Sequence, residues 1–198
     1  LHSHLRCQKK RRKRRGSIER RGQIIGRVCI TERPQIVETR SRIGDWEADT
    51  VIGRQGGAVL VTLVERKSRF SLIIRAENKT ATAVSAAMTT AMSPHAAHVH
   101  TLTYDNGKEF AYHLKVSDEL EAKGFFAHPY HSWERGLNEN TNGLIRQYLP
   151  KGKSFDDLTK QDVVDIMDRL NNRPRKCLGF RTPNEVFRKD KSDVALAS

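Results

Sequence analysis

From residue 43 onward, apolar positions recur at two different periods, and the switches between those periods divide the chain into elements. GDWEADTVIG, AVLVTLVERKSR and FSLIIRA are β-rich runs, separated by Gly56–Gly57 and by a polar turn around Lys67–Ser68. They predict an antiparallel meander of three strands. Ala81, Val84, Ala87, Met88 and Ala91 then fall at helical spacing, predicting a helix over 80–92 with Pro94 as its stop. HVHTLTYD reads as a strand ending at the turn Asp105–Asn106–Gly107, and 109–123 as a helix closed by Gly124. FFAH is a short strand cut off by Pro129. Helices over 138–148 and 160–170 end at Pro150 and near Pro174. The order β-β-β-α-β-α-β-α-α predicts an α/β fold in which three antiparallel strands are followed by two parallel ones. Right-handed crossovers connect the parallel strands, and helices flank the mixed five-stranded sheet.

Charge changes the picture at the N-terminus. A chain of 198 residues suits one packed domain with extensions, and its net charge is +13. Residues 1–42 carry 14 Lys/Arg against 3 Asp/Glu, whereas residues 43–198 carry 22 against 20. We read 1–42 as a basic flexible arm, 43–190 as the folded body and 191–198 as a tail. The arm's run of Lys9, Lys10, Arg11, Arg12, Lys13, Arg14 and Arg15 favours a polyanion, because neutralising phosphates releases condensed counterions. It lacks the interleaved apolar face of a membrane-surface helix. No run reaches the roughly 18 apolar residues of a membrane span, and the N-terminus has no secretory apolar stretch. Cys7, Cys29 and Cys177 are odd in number and in no metal spacing, which predicts free thiols in a reducing cytoplasm.

Candidate chemistry centres on three carboxylates in three settings: Asp49 in a strand, Asp105 at a strand end and Glu139 on a helix. Brought together, they would form an oxygen cage suited to Mg²⁺ and to in-line attack on a phosphodiester. Taken singly, each has an ordinary reading: a solvated carboxylate, a turn cap, and a helix N-terminal charge. Asp45 and Glu47 share Asp49's face of the strand and compete with it. Asp49 is preferred because it adjoins the apolar TVI segment, where the strand is expected to run deepest. Trp46 alternates to the opposite face and reads as core. Arg146, Gln147, Lys108 and Arg135 are candidate phosphate contacts. Trp133 either stacks on an unpaired base or, the commoner fate, packs against the sheet. Arg173, Arg175, Lys176 and Arg181 form a late basic cluster, with Leu178, Phe180, Val186 and Phe187 closing the core.

RIGDWEADTVIG, TYDNGKEF, ERGLNENTNGLIRQYLPKG and LNNRPRKCLGFRTPNEVF resemble the catalytic core of DDE transposases of the insertion-sequence-thirty type. Those enzymes belong to the retroviral-integrase-like superfamily. The resemblance spans roughly residues 20–187. It implies a ribonuclease-H-like fold, an integrase-type catalytic core over 43–190, and Asp49, Asp105 and Glu139 as the metal-binding triad. The family spacing of 33 residues between the last two carboxylates is met here. The implied cofactor is Mg²⁺ or Mn²⁺ and the implied reaction is strand hydrolysis followed by 3′-OH transfer. The implied partners are the DNA of element ends and target, bound by a homodimer or higher assembly in the bacterial cytoplasm, at the nucleoid. Ala48 stands where Gly is more usual and Glu134 where Gln is commoner. Nothing before residue 20 resembles the family's helix-turn-helix reader. Two alternatives follow: a non-catalytic DNA-binding remnant, and a ribonuclease-H-like nuclease acting on RNA–DNA hybrids.

Overall fold

The computed structural model describes residues 24–129 and 131–195. Its elements in chain order are α1 (Gln35–Thr39), β1 (Asp45–Ile52), β2 (Val59–Glu65), β3 (Ser71–Ala76), α2 (Ala81–Met92), β4 (Thr101–Tyr104), α3 (His113–Glu119), β5 (Lys123–Phe126), α4 (Gly136–Ile145), α5 (Lys160–Asn171) and α6 (Pro183–Ala195). β1, β2 and β3 pair antiparallel, while β4 joins β1 and β5 joins β4 in parallel, giving the order β3-β2-β1-β4-β5. This is the mixed five-stranded sheet that the sequence pattern predicts.

Strand alternation sorts side chains onto two faces. Trp46, Ala48, Val59, Val61 and Leu63 point to one face and pack with Val84 and Met88 of α2, Val116 of α3 and Phe187 of α6. Val51, Leu60 and Ile73 point to the other and meet Ile145 of α4, Leu149, Phe155, and Val163 and Leu170 of α5. Trp46 is fully buried; its indole N–H donates to the His98 carbonyl at 3.0 Å, and its ring meets Phe70 and Phe187 edge-on. Burial of an apolar side chain of this kind contributes on the order of 2–3 kcal/mol. Among the described residues, no helix is long and apolar enough to cross a membrane.

Three expectations need correction. First, the packed body begins by Ile24, which is buried, rather than at residue 43. The Phe126 N–H donates to the Val28 carbonyl, and Cys29 forms a parallel bridge with Phe126, so this segment covers the otherwise open edge of β5. Val37 is fully buried, and Arg33 donates to Thr103 Oγ1 at 2.8 Å. No clear apolar period announces the segment because only a few of its side chains turn inward. Second, the helix predicted over 109–123 shrinks to α3, preceded by a 3-10 turn at Lys108–Phe110. Glu121 takes a left-handed backbone (φ 50°) and breaks the helix. Gly124 therefore lies inside β5, where a Cβ would sit 3.1 Å from the Tyr104 ring and 3.3 Å from Ser117 Oγ. Third, Phe180 is 73% exposed and outside the core that Val186 and Phe187 do close. α2 ends at Met92, two residues before Pro94, as the pattern predicts; Pro94 then sits at the N-terminus of a 3-10 helix, Ser93–His98.

Candidate active site

β1 is the central strand, and its polar face carries Asp45, Glu47 and Asp49 beneath α4. Asp45 is fully buried and neutralised: Arg42 grips both its oxygens at 2.9 Å, and Thr101 Oγ1 donates at 2.7 Å. Glu47 is 1% exposed; it binds Arg66 at 2.5 Å and accepts from the Asn138 backbone N–H at 3.3 Å. Burial pushes its carboxyl above the usual range, against the pull of Arg66. Asp49 is the member of the three that reaches the surface, its side chain 19% exposed. The strand thus runs deepest at its start, not at TVI. The preference for Asp49 survives for the opposite reason: Asp45 and Glu47 are already spent on arginines.

Parallel pairing sets Asp105 beside it. Asp45, Trp46 and Glu47 pair with Thr101, Leu102 and Thr103. The same offset carried two residues further brings Asp49 and Asp105 side by side, just beyond the end of β4. The Asp105 carboxylate accepts from the Gly107 N–H at 2.7 Å, a turn contact that fixes its direction. Arg135 lies across the pair. It sits 3.2 Å from Asp105 and 3.7 Å from Asp49, and donates to the Ala48 carbonyl at 2.9 Å. Asn142 Nδ2 donates to Asp49 Oδ2 at 2.9 Å, and the Thr50 N–H to Oδ1 at 2.8 Å. Burial raises the Asp49 pKa and the nearby Asp105 charge adds to the rise. Arg135, the Thr50 amide and Asn142 pull the other way.

Glu139 stands in the first turn of α4, exposed, one turn before Asn142. Among the described residues, no three His, Cys, Asp or Glu side chains lie within shared reach of one metal ion. The structure therefore joins two of the three predicted carboxylates and leaves Glu139 outside that pair. The fit to a cation can still be judged. Two hard oxygen donors already converge on one positive group, the Arg135 guanidinium, which stands in for a cation between them. That donor set suits Mg²⁺ or Mn²⁺.

The other predicted contacts divide. Arg135 is buried against the carboxylates and is not a free phosphate contact. Arg146 is likewise engaged: it donates to the Ile52 carbonyl at 2.6 Å and lies 5.9 Å from the Phe155 ring centroid. Lys108 and Gln147 are exposed, Gln147 accepting from Arg173 at 3.3 Å. Trp133 is 68% exposed, not packed on the sheet; it meets His131 edge-on at 4.4 Å. Lys9, Lys10, Arg11, Arg12, Lys13, Arg14 and Arg15 lie outside the described residues. Glu109 and Asn142 were missed as parts of the site. Glu109 is buried next to Gly107, held by Thr50 Oγ1 at 3.0 Å and Lys79 at 2.8 Å. The available signal for Asn142 was its place three residues after Glu139, on the same helix face.

A second polar cluster borders the site. Cys29 Sγ is 3.5 Å from His128 Nε2, and His128 Nδ1 is 2.8 Å from Glu134 Oε1. Hydrogen bonds from Thr31 lower the Cys29 pKa, and the bond to Glu134 raises that of His128. The Glu134 that departs from the commoner Gln thus supplies a charged partner to an imidazole.

Comparison with known proteins supplies ancestry. No family model matches the chain. It is 48% identical over 201 residues to a transposase for insertion sequence element IS4351 of Bacteroides fragilis, covering 100% of this chain and 62% of that protein. It is 38% identical over 178 residues to transposase InsI of insertion sequence element IS30A of Escherichia coli, covering 89% of this chain and 45% of that one. It is 39% identical over 179 residues to the IS1086 transposase of Cupriavidus metallidurans, covering 90% and 53%. The chain thus spans about half to three-fifths of the length of these relatives. The catalytic core domain of BIV integrase superposes with a TM-score of 0.57 at 19% identity, over 76% of this chain and 97% of that one. The HTLV-2 integrase catalytic core, solved in complex with magnesium, gives 0.55 at 18%, over 73% and 95%. At such identities the likeness establishes fold, here ribonuclease-H-like. By descent the chain is a homologue of the insertion-sequence transposases along its full length, built on the fold of an integrase catalytic core.

Proposed function

We propose that this chain carries the strand-cleaving and strand-joining chemistry of DNA transposition, as a DDE-type polynucleotidyl transferase. The observation that carries the reading is the pair Asp49–Asp105, set side by side by parallel pairing and converging on one cation, Arg135. Here Asp49 and Asp105, joined by Glu139 of α4, would hold Mg²⁺ or Mn²⁺. Such ions, when bound, polarise the phosphodiester and favour ionisation of the attacking oxygen.

The chain's own groups do the rest. Asn142 and the Thr50 amide fix the Asp49 carboxylate, and Gly107 fixes that of Asp105. Arg135, once displaced from the carboxylates, offers a planar guanidinium to the scissile phosphate. Lys108 and Gln147 contact neighbouring phosphates, and exposed Trp133 stacks on a base freed near the cut. Water attacks phosphorus and the element's 3′ oxygen leaves as a 3′-OH; that hydroxyl then attacks a target phosphodiester and expels the target strand's 3′ oxygen, with no covalent protein–DNA bond. Element ends and target are the partners, two or more copies act together, and the setting is the bacterial cytoplasm at the nucleoid.

The test is joining of a labelled oligonucleotide end to plasmid DNA in Mn²⁺. Asp105→Asn and Glu139→Gln are each expected to lower joining about 10³-fold or more. DNA retention should change less than about twofold. Undiminished joining by both variants removes the triad.

A further inference from the structure

A second site for a charged ligand lies on the flank of α4. Arg40, Arg69 and Arg175 converge on a cavity of about 320 Å³ that also draws Gly136, Asn140 and Thr141 from α4. The three come from the end of α1, the β2–β3 turn and the segment before α6. They are distant in sequence and are gathered by the fold. Arg40 and Arg69 occupy left-handed backbone positions (φ 52° and 65°), where a glycine would sit with less strain. Arg175 is anchored by Nη2, which donates to the Leu170 carbonyl at 3.0 Å.

These guanidiniums have no carboxylate in direct contact, although Glu47 and Glu38 act on Arg40 from further away. Among the described residues, none of the three forms an ion pair with a carboxylate, whereas neighbouring Arg66 holds both Glu38 and Glu47. Arg69 Nε and Arg175 Nε are buried with no hydrogen-bond partner. A buried hydrogen-bond donor left unmade on a charged group destabilises the fold. The charges also oppose one another: burial, then Arg69, pulls the Arg40 pKa down; burial, then Arg173, lowers that of Arg175, with a smaller contribution from Arg69. Three like charges around a cavity with spare donors are stable together when an anion completes them. A single carboxylate is overmatched by three guanidiniums; a phosphate group offers more acceptor oxygens, and guanidinium forks match them.

We propose that Arg40, Arg69 and Arg175 form a phosphate-binding pocket, separate from the Asp49–Asp105 site and built on the same helix. Asn142 of α4 reaches Asp49 while Gly136 and Asn140 line the pocket, so a single strand crossing α4 can engage both. The phosphate is a DNA backbone diester or a free phosphate. The first source rests on the transposition reading, and the pocket itself does not.

The experiment uses the full chain without divalent metal, so it is independent of strand joining by the carboxylates. Calorimetry with inorganic phosphate and anisotropy with a labelled duplex across a salt series are run on the wild type, Arg69→Gln/Arg175→Gln and Arg69→Lys/Arg175→Lys. Lys151→Gln/Lys160→Gln serves as control, because these exposed positions do not line the cavity. The Gln double variant is expected to weaken DNA at least tenfold and to reduce the salt slope by about 2. The Lys variant should keep the slope but lose part of the affinity. Weakened DNA with no wild-type phosphate binding assigns the pocket to the backbone; loss of both assigns it to phosphate of either source. An unchanged pair of affinities in a folded Gln variant overturns the proposal. So does an equal loss in the Lys151/Lys160 control, which would reduce the effect to diffuse surface charge.

Discussion

At Arg135 the guanidinium spans two carboxylates that would otherwise repel, and a divalent ion would need the same place. Removing it should expose that competition. Arg135→Gln is expected to bind Mn²⁺ about tenfold more tightly in a calorimetric or spin-resonance titration, and to melt at lower temperature without metal. Weaker Mn²⁺ binding in the variant would make Arg135 a support of the site instead. The Cys29–His128–Glu134 cluster carries a pH prediction. Its thiol is lowered and its imidazole raised, so thiolate and imidazolium coexist over a wider pH range than ordinary groups would. The native state holds the His128 proton more firmly than the unfolded chain does. The contact's stability is therefore complete below the ordinary histidine pKa and is lost as pH rises through the raised one. In a Cys7→Ser/Cys177→Ser background, alkylation of Cys29 should persist below the pH at which an ordinary thiol stops reacting. Glu134→Gln should move that profile upward; an identical profile would leave the thiol to Thr31 alone.

Elements are held to one another by a few polar ties at the sheet's margins. Asn171, at the end of α5, accepts from the Ser71 N–H at 2.9 Å and donates to the Ser71 carbonyl at 2.8 Å, pinning the start of edge strand β3. All of these groups are buried. Asn171→Leu should lower unfolding free energy by about 2–3 kcal/mol in a denaturant titration. Gln161→Ala, which removes an exposed contact to Asp165, should change it by less than about 0.5 kcal/mol. A small effect at Asn171 would mean that water replaces the tie. Legibility at this scale followed the physics of each element. The three strands of the meander announced themselves because β-branched runs meet turn residues. The helix after Asp105 was overextended because its end depends on the left-handed Glu121, not on the glycine that looked like its cap. α1 went unseen because it buries little besides Val37.

Across the whole molecule, charge separates from fold. Residues 1–23 hold 10 of the 36 Lys/Arg, while the described body holds some of its cations in ion pairs and gathers three in the arginine pocket. Deleting 1–23 should leave the melting temperature of the body within about 2 °C, apart from the loss of any contacts near Ile24. It should flatten the salt dependence of duplex binding by several units, each phosphate contact being worth about 0.9 in slope. An unchanged slope would show that the body alone makes the phosphate contacts.

While family resemblance singled out Asp49 and Asp105 among the carboxylates, local periodicity and residue chemistry determined the order of elements from β1 to α5 and the parallel relation of the last two strands. They did so because period, turn chemistry and charge are written within a few residues of one another. Tertiary structure decided which charges are used up. Asp45 and Glu47 are silenced by Arg42 and Arg66, Arg135 is drawn into the carboxylates, and Trp133 is turned outward. It also decided that Arg40, Arg69 and Arg175 meet. Such outcomes depend on desolvation and on partners far away in the chain, and no local pattern encodes either.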